Sequence, residues 1–146
     1  MMGHTIRKPT APVILNGEGK ELLCEASAVR SESTTLNVIQ ENNIPPLSFE
    51  ITLYQAVTKG KTMDMIIQKA TELGASRIVP VLSERSVPDW DNTKSASKVE
   101  KWKSVCIESI KQCGSAWIPK LELPMKPNQA IKDSHNSEIS LIATLQ

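Results

Sequence analysis

The chain has 146 residues, of which 40% are hydrophobic and 23% charged, and its formal net charge is +1. This composition is typical of a soluble globular protein with one domain or slightly more, and it argues against general disorder. No apolar run approaches the roughly 18 residues that a membrane-spanning helix needs. The start of the chain also lacks the layout of a signal peptide, so a cytoplasmic location is predicted.

Charge and cysteine usage narrow the class of protein further. Residues 1–50 contain four basic and six acidic residues, whereas residues 51–146 contain thirteen and ten, so the second part is mildly basic. That bias alone says little about a nucleic-acid partner. Cys24, Cys106 and Cys113 show neither the spacing of a zinc site nor that of a disulfide. We therefore expect reduced thiols and no metal.

The first part of the chain has the pattern of β-structure. Apolar runs at residues 13–15, 22–26 and 34–39 predict three short strands. The Asn-Gly-Glu-Gly sequence at residues 16–19 predicts a hairpin between the first two. Three such strands cannot close a barrel and are marginal alone. A proline pair ends this part, and we place the boundary of a first domain, residues 1–46, there.

Strand and helix periods alternate after this boundary. A strand is predicted over residues 50–56, a helix over residues 63–73 with Asp64 in its first turn, and a second strand over residues 77–82. Pro80 lacks a backbone donor, so we expect it at a sheet edge or a bulge.

A second helix follows the second strand. Ser97 and Glu100 have the spacing of a capping box, which predicts the start of this helix. Its apolar stripe is expected to run from Val99 to Cys113, and Gly114 is expected to close it.

The last part of the chain completes a predicted α/β fold. We expect an extended piece near residues 118–123, a short helix near residues 128–132, and a strand over residues 139–145 that is buried on both faces. This alternation predicts a parallel sheet with right-handed crossovers in a second domain, residues 47–146. Ligands of such sheets bind beyond the carboxyl ends of the strands.

A group of basic residues is expected at that end of the sheet. Lys59 and Lys61 flank Gly60 at the start of a helix, where exposed amides favour anions. Arg85 follows the next strand and is expected on the same rim. The three cations are compatible with phosphate binding and equally with a solvated rim.

Further along the same helix, Lys69 and Glu72 have the spacing of a surface ion pair, which is the simpler interpretation of both. Gly-rich nucleotide loops, P-loops, zinc-protease motifs and serine-hydrolase motifs do not occur in the sequence.

The central block KGKTMDMIIQKATELGASRIVPVLSERS, residues 59–86, closely resembles the signature of the RsmE family, bacterial methyltransferases that act on N3 of a uridine in small-subunit ribosomal RNA. Residues 111–114 resemble its second signature, and Arg7 with the hairpin at residues 16–19 resembles part of its PUA-like barrel. The resemblance implies a SPOUT-type parallel α/β sheet (an α/β-knot methyltransferase), a partial PUA-like barrel in front of it, S-adenosylmethionine (SAM) as cofactor and a homodimer.

Individual roles follow from the resemblance alone. It implies RNA contacts for Arg7, Lys59, Lys61 and Arg85, supporting roles for Asp64, Lys69, Glu72, Ser83 and Glu84, and cofactor contacts for Thr144, Leu145 and Gln146. It indicates no catalytic base.

The sequence also departs from the family pattern. The barrel segment is abbreviated, and Ser115 follows Gly114 where many members carry arginine. The glycine-rich loop and the knot segment of the family are expected after Gln146, so we expect the chain alone to be inactive. Two other hypotheses are a non-catalytic RNA-binding or dimerisation module and a generic α/β domain that binds an unrelated small molecule.

Overall fold

The computed structural model describes residues 11–83, 90 and 92–143. Within these residues the chain forms two three-stranded sheets and three helices. The strands are β1 (Val13–Leu15), β2 (Lys20–Val29), β3 (Thr34–Asn43), β4 (Thr52–Ala56), β5 (Arg77–Val81) and β6 (Lys120–Leu121). The helices are α1 (Thr62–Glu72), α2 (Asn92–Cys113) and α3 (Pro127–Ser134).

The first sheet is antiparallel with the order β1-β2-β3, which confirms the three predicted strands. The predicted hairpin joins β1 to β2. The side-chain oxygen of Asn16 accepts hydrogen bonds from the backbone amides of Glu18 at 2.8 Å and Lys20 at 2.9 Å. Positive φ angles occur at Gly17 (+78°) and Gly19 (+90°) and not at Asn16. The asparagine thus acts through its side chain, and the glycines supply the backbone freedom.

This turn docks on the segment that follows α2. The Gly19 amide donates to the Ala116 carbonyl and the Ile118 amide donates to the Gly17 carbonyl, both at 2.9 Å. The Trp117 indole N–H donates to a backbone carbonyl just after β3, at 3.0 Å. These hydrogen bonds attach the first sheet to the α/β part of the chain.

The second sheet is parallel with the order β4-β5-β6, so the predicted α/β arrangement is confirmed. All five residues of β4 pair with β5, from Thr52 opposite Arg77 to Ala56 opposite Val81. Helix α1 connects β4 to β5, and α2 connects β5 to β6. Because the paired strands run parallel, their carboxyl ends share one edge of the sheet.

Pro80 was expected at a sheet edge or a bulge, and this is wrong, since its register with Gln55 of β4 is regular. Pro80 lies in the central strand β5 and is fully buried, so an edge position is wrong. Its carbonyl accepts from the Met125 amide at 3.0 Å, on the side of β6. The amide and carbonyl of a strand residue point to the same neighbour, so its missing donor also faces that side. On that side β6 pairs only with Arg77 and Ile78, so the missing donor of Pro80 lies beyond the paired residues of β6. The hydrogen bonds between β5 and β4 are not affected by the proline.

The core lies between the second sheet and helices α1 and α2. Ile67 of α1, Ile78 of β5 and Cys106 of α2 are completely buried, which confirms the predicted apolar faces. Leu73 ends the first predicted helix and Cys113 ends the predicted apolar stripe of the second, but both are exposed. Each lies at the carboxyl end of its helix, beyond the last turn that packs on the sheet.

The predicted start of α2 is wrong. The helix begins at Asn92, so Ser97 and Glu100 lie inside it. Ser95 is buried one turn before the buried Val99, which shows that the packed face extends backwards past the apparent cap. The Glu100 side chain accepts a hydrogen bond from the Lys103 side chain at 2.7 Å. In a capping box it would accept from the backbone amide of Ser97. Tertiary packing therefore overrides the local signal.

A polar cluster that the sequence analysis missed connects α3 to the sheet. Arg77 donates to Glu122 at 2.9 Å and to Asp133 at 2.7 Å, and Tyr54 donates to Asp133 at 2.7 Å. The hydrogen bonds from Tyr54 and then Arg77 lower the pKa of Asp133. Partial burial, followed by the bond to Asp133, raises the pKa of Tyr54. Burial opposes the charge of Arg77, but its two carboxylate partners outweigh burial and raise its pKa.

The predicted strand over residues 139–145 is wrong in the part that the structure describes. Residues 139–143 form no strand, and Ile139, Leu141 and Ile142 are 76–90% exposed. An apolar run signals a tendency to burial, but a strand also needs a neighbouring strand to pair with. Among the described residues, this segment has none.

Candidate nucleic-acid interface at the carboxyl edge of the sheet

The predicted basic rim starts where β4 ends. Lys59 and Lys61 follow β4, and Gly60 between them adopts a φ of +64°. Lys61 is the N-cap residue of α1 and makes no side-chain capping hydrogen bond. Ser83 comes two residues after β5, at the same edge of the sheet. The structure therefore brings Lys59, Lys61 and Ser83 to one edge of the sheet.

Other predicted site residues cannot be placed. Arg7, Glu84 and Arg85 lie outside the described residues, as do Thr144, Leu145 and Gln146.

Lys59 and Lys61 line a cleft of about 460 Å³ between the start of α1 and the first half of α2. We call it the lysine cleft. Its opposite wall carries Lys98, Lys101 and Trp102 of α2. Four lysines and one carboxylate therefore face this space among the described residues, which favours an anion.

Asp64, a predicted supporting residue, is the carboxylate of the lysine cleft. It accepts a hydrogen bond from Lys101 at 2.5 Å and another from the Trp102 indole at 3.1 Å. Trp102 is 3% exposed and packs on Trp90 with 5.8 Å between ring centroids. Asp64 thus ties α1 to α2 and neutralises one of the four lysines.

Lys69 and Glu72, the other supporting residues on α1, do not line the lysine cleft. Lys69 pairs with Glu72 at 2.6 Å, which confirms the predicted surface ion pair. Gln68 donates to the other carboxylate oxygen at 2.8 Å. Hydrogen bonds from Lys69 and Gln68 lower the pKa of Glu72.

Two α2 lysines were missing from the sequence analysis. Lys98 and Lys101 flank the buried Val99 and precede the buried Trp102, so their helical spacing placed them beside the apolar stripe. That spacing could have shown that both lie close to the face that packs on α1. It could not show that the part of α2 with Lys98 and Lys101 lies next to the start of α1, because that depends on how the two helices pack.

The chemistry of the lysine cleft is that of anion binding. Its described lining contains no histidine, cysteine or glutamate, and its one aspartate is engaged by two donors. No proton-accepting group suited to base catalysis is therefore found in the described lining.

The described residues also contain no group of three histidine, cysteine, aspartate or glutamate side chains arranged to hold a metal ion. None of the helices in this part of the chain combines the length and apolarity required to cross a bilayer.

Relatives of known identity match both the sequence and the fold. The chain is 34% identical over 125 residues to ribosomal RNA small subunit methyltransferase E of Aquifex aeolicus, covering 84% of this chain and 53% of that protein. Proteins of the same name from Buchnera aphidicola and Bacillus subtilis are 29% and 30% identical, with 42% and 41% of their lengths covered. The chain thus spans about half the length of the curated relatives it matches, and the resemblance found in the sequence is confirmed.

Solved structures of methyltransferases match the fold of this chain. A Legionella pneumophila protein, described as a methyltransferase in complex with the bound cofactor SAM, matches with a TM-score of 0.76 and 29% identity, over 83% of this chain and 50% of that one. The ribosomal RNA small subunit methyltransferase E of Neisseria gonorrhoeae, bound to S-adenosylmethionine, has the same fold, with a TM-score of 0.75 at 24% identity, over 86% and 52%. Residues 45–146 match the family model of the RNA methyltransferase domain. The chain belongs to this RNA methyltransferase domain family.

Proposed function

We propose that the chain is part of a SAM-dependent methyltransferase that methylates N3 of a uridine in small-subunit (16S) ribosomal RNA. The observation that carries this proposal is the lysine cleft at the carboxyl edge of the sheet. The cleft lies within the region that matches the RNA methyltransferase domain and offers cations to a polyanion.

The proposal assigns RNA binding to Lys59, Lys61, Arg85 and Arg7. Of the supporting residues, Asp64 holds the two walls of the cleft together, Lys69 and Glu72 form a surface ion pair on α1, and Ser83 borders the rim. Glu84 lies outside the described residues, and its supporting role rests on the resemblance alone. We propose residues 1–46 as a partial PUA-like domain and residues 47–146 as part of a SPOUT domain, in a cytoplasmic homodimer.

The methyl donor is expected outside the lysine cleft. SAM supplies a methyl group from a sulfonium cation, and four lysines against one carboxylate do not suit a cationic group. We assign donor contacts to Thr144, Leu145 and Gln146. Since the relatives are about twice as long, we expect the polypeptide of residues 1–146 to bind RNA and to transfer no methyl group by itself.

The methyl-transfer test uses cells in which the gene is deleted. Mass spectrometry of nuclease-digested small-subunit RNA should show that one N3-methyluridine is lost, and the gene on a plasmid should restore it. An unchanged methylation pattern would refute the enzymatic proposal. It would favour a non-catalytic RNA-binding module.

The RNA-binding part is tested with the 146-residue chain itself. Affinity for a labelled small-subunit RNA transcript, measured by fluorescence anisotropy at several salt concentrations, gives the dependence of log K on log salt. Lys59→Gln should weaken binding and reduce this slope by about 0.7–0.9, the value of one phosphate contact. An unchanged slope would show that the rim is only solvated. Calorimetry with SAM should show no tight binding, and micromolar affinity would contradict the expectation that residues 1–146 do not form a complete donor pocket.

A further inference from the structure

The second wall of the lysine cleft offers a cation that the family resemblance did not indicate. Lys98 of α2 lines the cleft opposite Lys59 and Lys61, and its side chain is exposed. The side-chain ammonium groups of these three lysines form no ion pair or hydrogen bond with another described residue. All three charges are therefore available to an anion.

The other lysines of α2 with known contacts differ in this respect. Lys101 is paired with Asp64 at 2.5 Å, Lys103 with Glu100 at 2.7 Å and Lys111 with Glu108 at 2.6 Å. Lys103 and Lys111 also lie outside the cleft lining. Lys98 thus differs from Lys103 and Lys111 because it lines the cleft, and it differs from all three because its charge has no carboxylate partner among the described residues.

One side chain in the lining of the cleft also lacks a hydrogen-bond partner. Thr58 lines the cleft, and its hydroxyl oxygen is the only buried side-chain nitrogen or oxygen without a hydrogen-bond partner in the described part of the chain. Buried polar atoms of native proteins nearly always have a partner. The Thr58 hydroxyl is therefore a donor in a lining residue of the cleft that no described residue uses.

We infer that Lys98, together with Lys59 and Lys61, binds a backbone phosphate of the RNA, so that α2 contacts the substrate as well as the start of α1. The inference rests on the proposed function and extends it to a residue on a second helix. The Asp64 contacts to Lys101 and Trp102 hold α2 at the distance at which Lys98 faces the cleft. Phosphate contacts of this kind contribute affinity and orientation without reading sequence.

The experiment compares matched variants of the 146-residue chain. Lys98→Gln and Lys103→Gln each remove one positive charge from an exposed position of the same helix, but only Lys98 lines the cleft. Affinity for the labelled small-subunit RNA transcript is measured at several salt concentrations. We expect Lys98→Gln to weaken binding several-fold and to reduce the salt slope by about 0.7–0.9. Lys103→Gln should have the same salt slope as the unmodified chain, within experimental error. Lys98→Arg, which keeps the positive charge, should also have the slope of the unmodified chain.

Lys59→Gln, measured in the same series, separates the inference about Lys98 from the proposed function. If Lys98→Gln behaves like Lys103→Gln while Lys59→Gln still reduces the slope, the inference is overturned and the proposed function stands. If all three variants bind like the unmodified chain, the proposed RNA rim is overturned as well. Circular dichroism and thermal melting of each variant establish that the compared proteins are folded.

Discussion

The two sheets are built from similar strand patterns, but within the described part of the chain only one of them packs against a buried core. Around β4–β6, a buried cluster joins the sheet to both long helices: Val57, Met63, Ile67, Ala75, Ile78, Val99, Trp102, Cys106 and Leu121. In β1–β3, Cys24 is the only buried apolar side chain among the described residues, while Val29, Val38 and Ile39 are more than half exposed. Alternating apolar residues therefore predict strands in both regions, but burial requires a second layer.

The difference also indicates how each region is held. The second sheet is stabilised by helices packed on it, whereas the contacts of the first sheet with the α/β part centre on the turn at residues 16–19 and the segment at residues 116–118. Stability should accordingly be unequal along the chain, with the first sheet opening more easily.

A core truncation should have the largest effect. Ile78→Ala removes a fully buried side chain from the central strand β5, and we expect a loss of about 2–5 kcal/mol in the free energy of unfolding. Urea denaturation followed by circular dichroism measures this loss. Val38→Ala in β3, where the side chain is 56% exposed, should change the free energy by less than about 0.5 kcal/mol. Equal losses for the two variants would refute the contrast between the sheets.

A substitution in the docking turn should have the next largest effect, and a local one. A Cβ atom on Gly19 would lie 2.4 Å and 2.8 Å from two ring atoms of Trp117, at a φ of +90°. We expect Gly19→Ala to cost roughly 1–3 kcal/mol for overpacking, in addition to backbone strain. Hydrogen exchange measured by mass spectrometry should become faster in β2 and β3 and stay unchanged in β5.

Gly60→Ala is the matched control for this variant. Gly60 also has a positive φ, +64°, but a Cβ there meets no atom within 4 Å. Gly60→Ala should lower the free energy of unfolding by the backbone strain alone, about 1–2 kcal/mol, and hydrogen exchange in β2 and β3 should not become faster. Similar exchange in both variants would mean that the turn does not hold the first sheet.

The polar cluster around Arg77 predicts a pH effect confined to the α/β part. Hydrogen bonds from Tyr54 and then Arg77 lower the pKa of Asp133 from 3.8, and hydrogen bonds from Lys120 and then Arg77 lower the pKa of Glu122 from 4.5. The contribution of both carboxylates to stability is therefore complete above these values. It is lost as the pH falls through the lower values of the folded protein. The pKa of Tyr54 is raised from 10.0, so its contribution is complete below pH 10.0 and is lost as the pH rises further.

Asp133→Asn tests this pH dependence. We expect the variant to unfold at lower urea concentration at neutral pH, and to lose less stability than the unmodified chain between about pH 6 and about pH 3. Glu138→Gln, which removes an exposed carboxylate outside the cluster, should keep the full acid loss. An identical acid loss in Asp133→Asn would show that the cluster does not control it.

Much of this architecture could be predicted from local patterns. The hairpin at residues 16–19 and helix α1 were predicted because their signals act within a few residues, through a turn sequence and a helical period. The rim position of Lys59 and Lys61 followed from parallel topology, since each lies next to the end of a strand.

The errors and omissions depend on contacts between distant parts of the chain. The Arg77 cluster joins residues 54, 77, 122 and 133, which no local motif connects. Lys98 enters the lysine cleft because of the way α2 packs on α1. The start of α2 was misplaced because a local capping signal lay inside a helix that packing extends. Periodicity shows which face of an element is apolar, but not which element it meets.

The smallest effect is expected on the outer surface of α1, where the local pattern did predict the contact. Lys69 is 60% exposed in its ion pair with Glu72, and solvent screens such pairs strongly. Lys69→Ala also leaves the Gln68 hydrogen bond to the second carboxylate oxygen in place. We therefore expect a urea midpoint within experimental error of the unmodified chain, and an unchanged salt slope of RNA binding because Lys69 does not line the lysine cleft. A loss as large as that of Gly19→Ala would show that this face of α1 packs against something, and a reduced salt slope would place Lys69 in contact with the RNA.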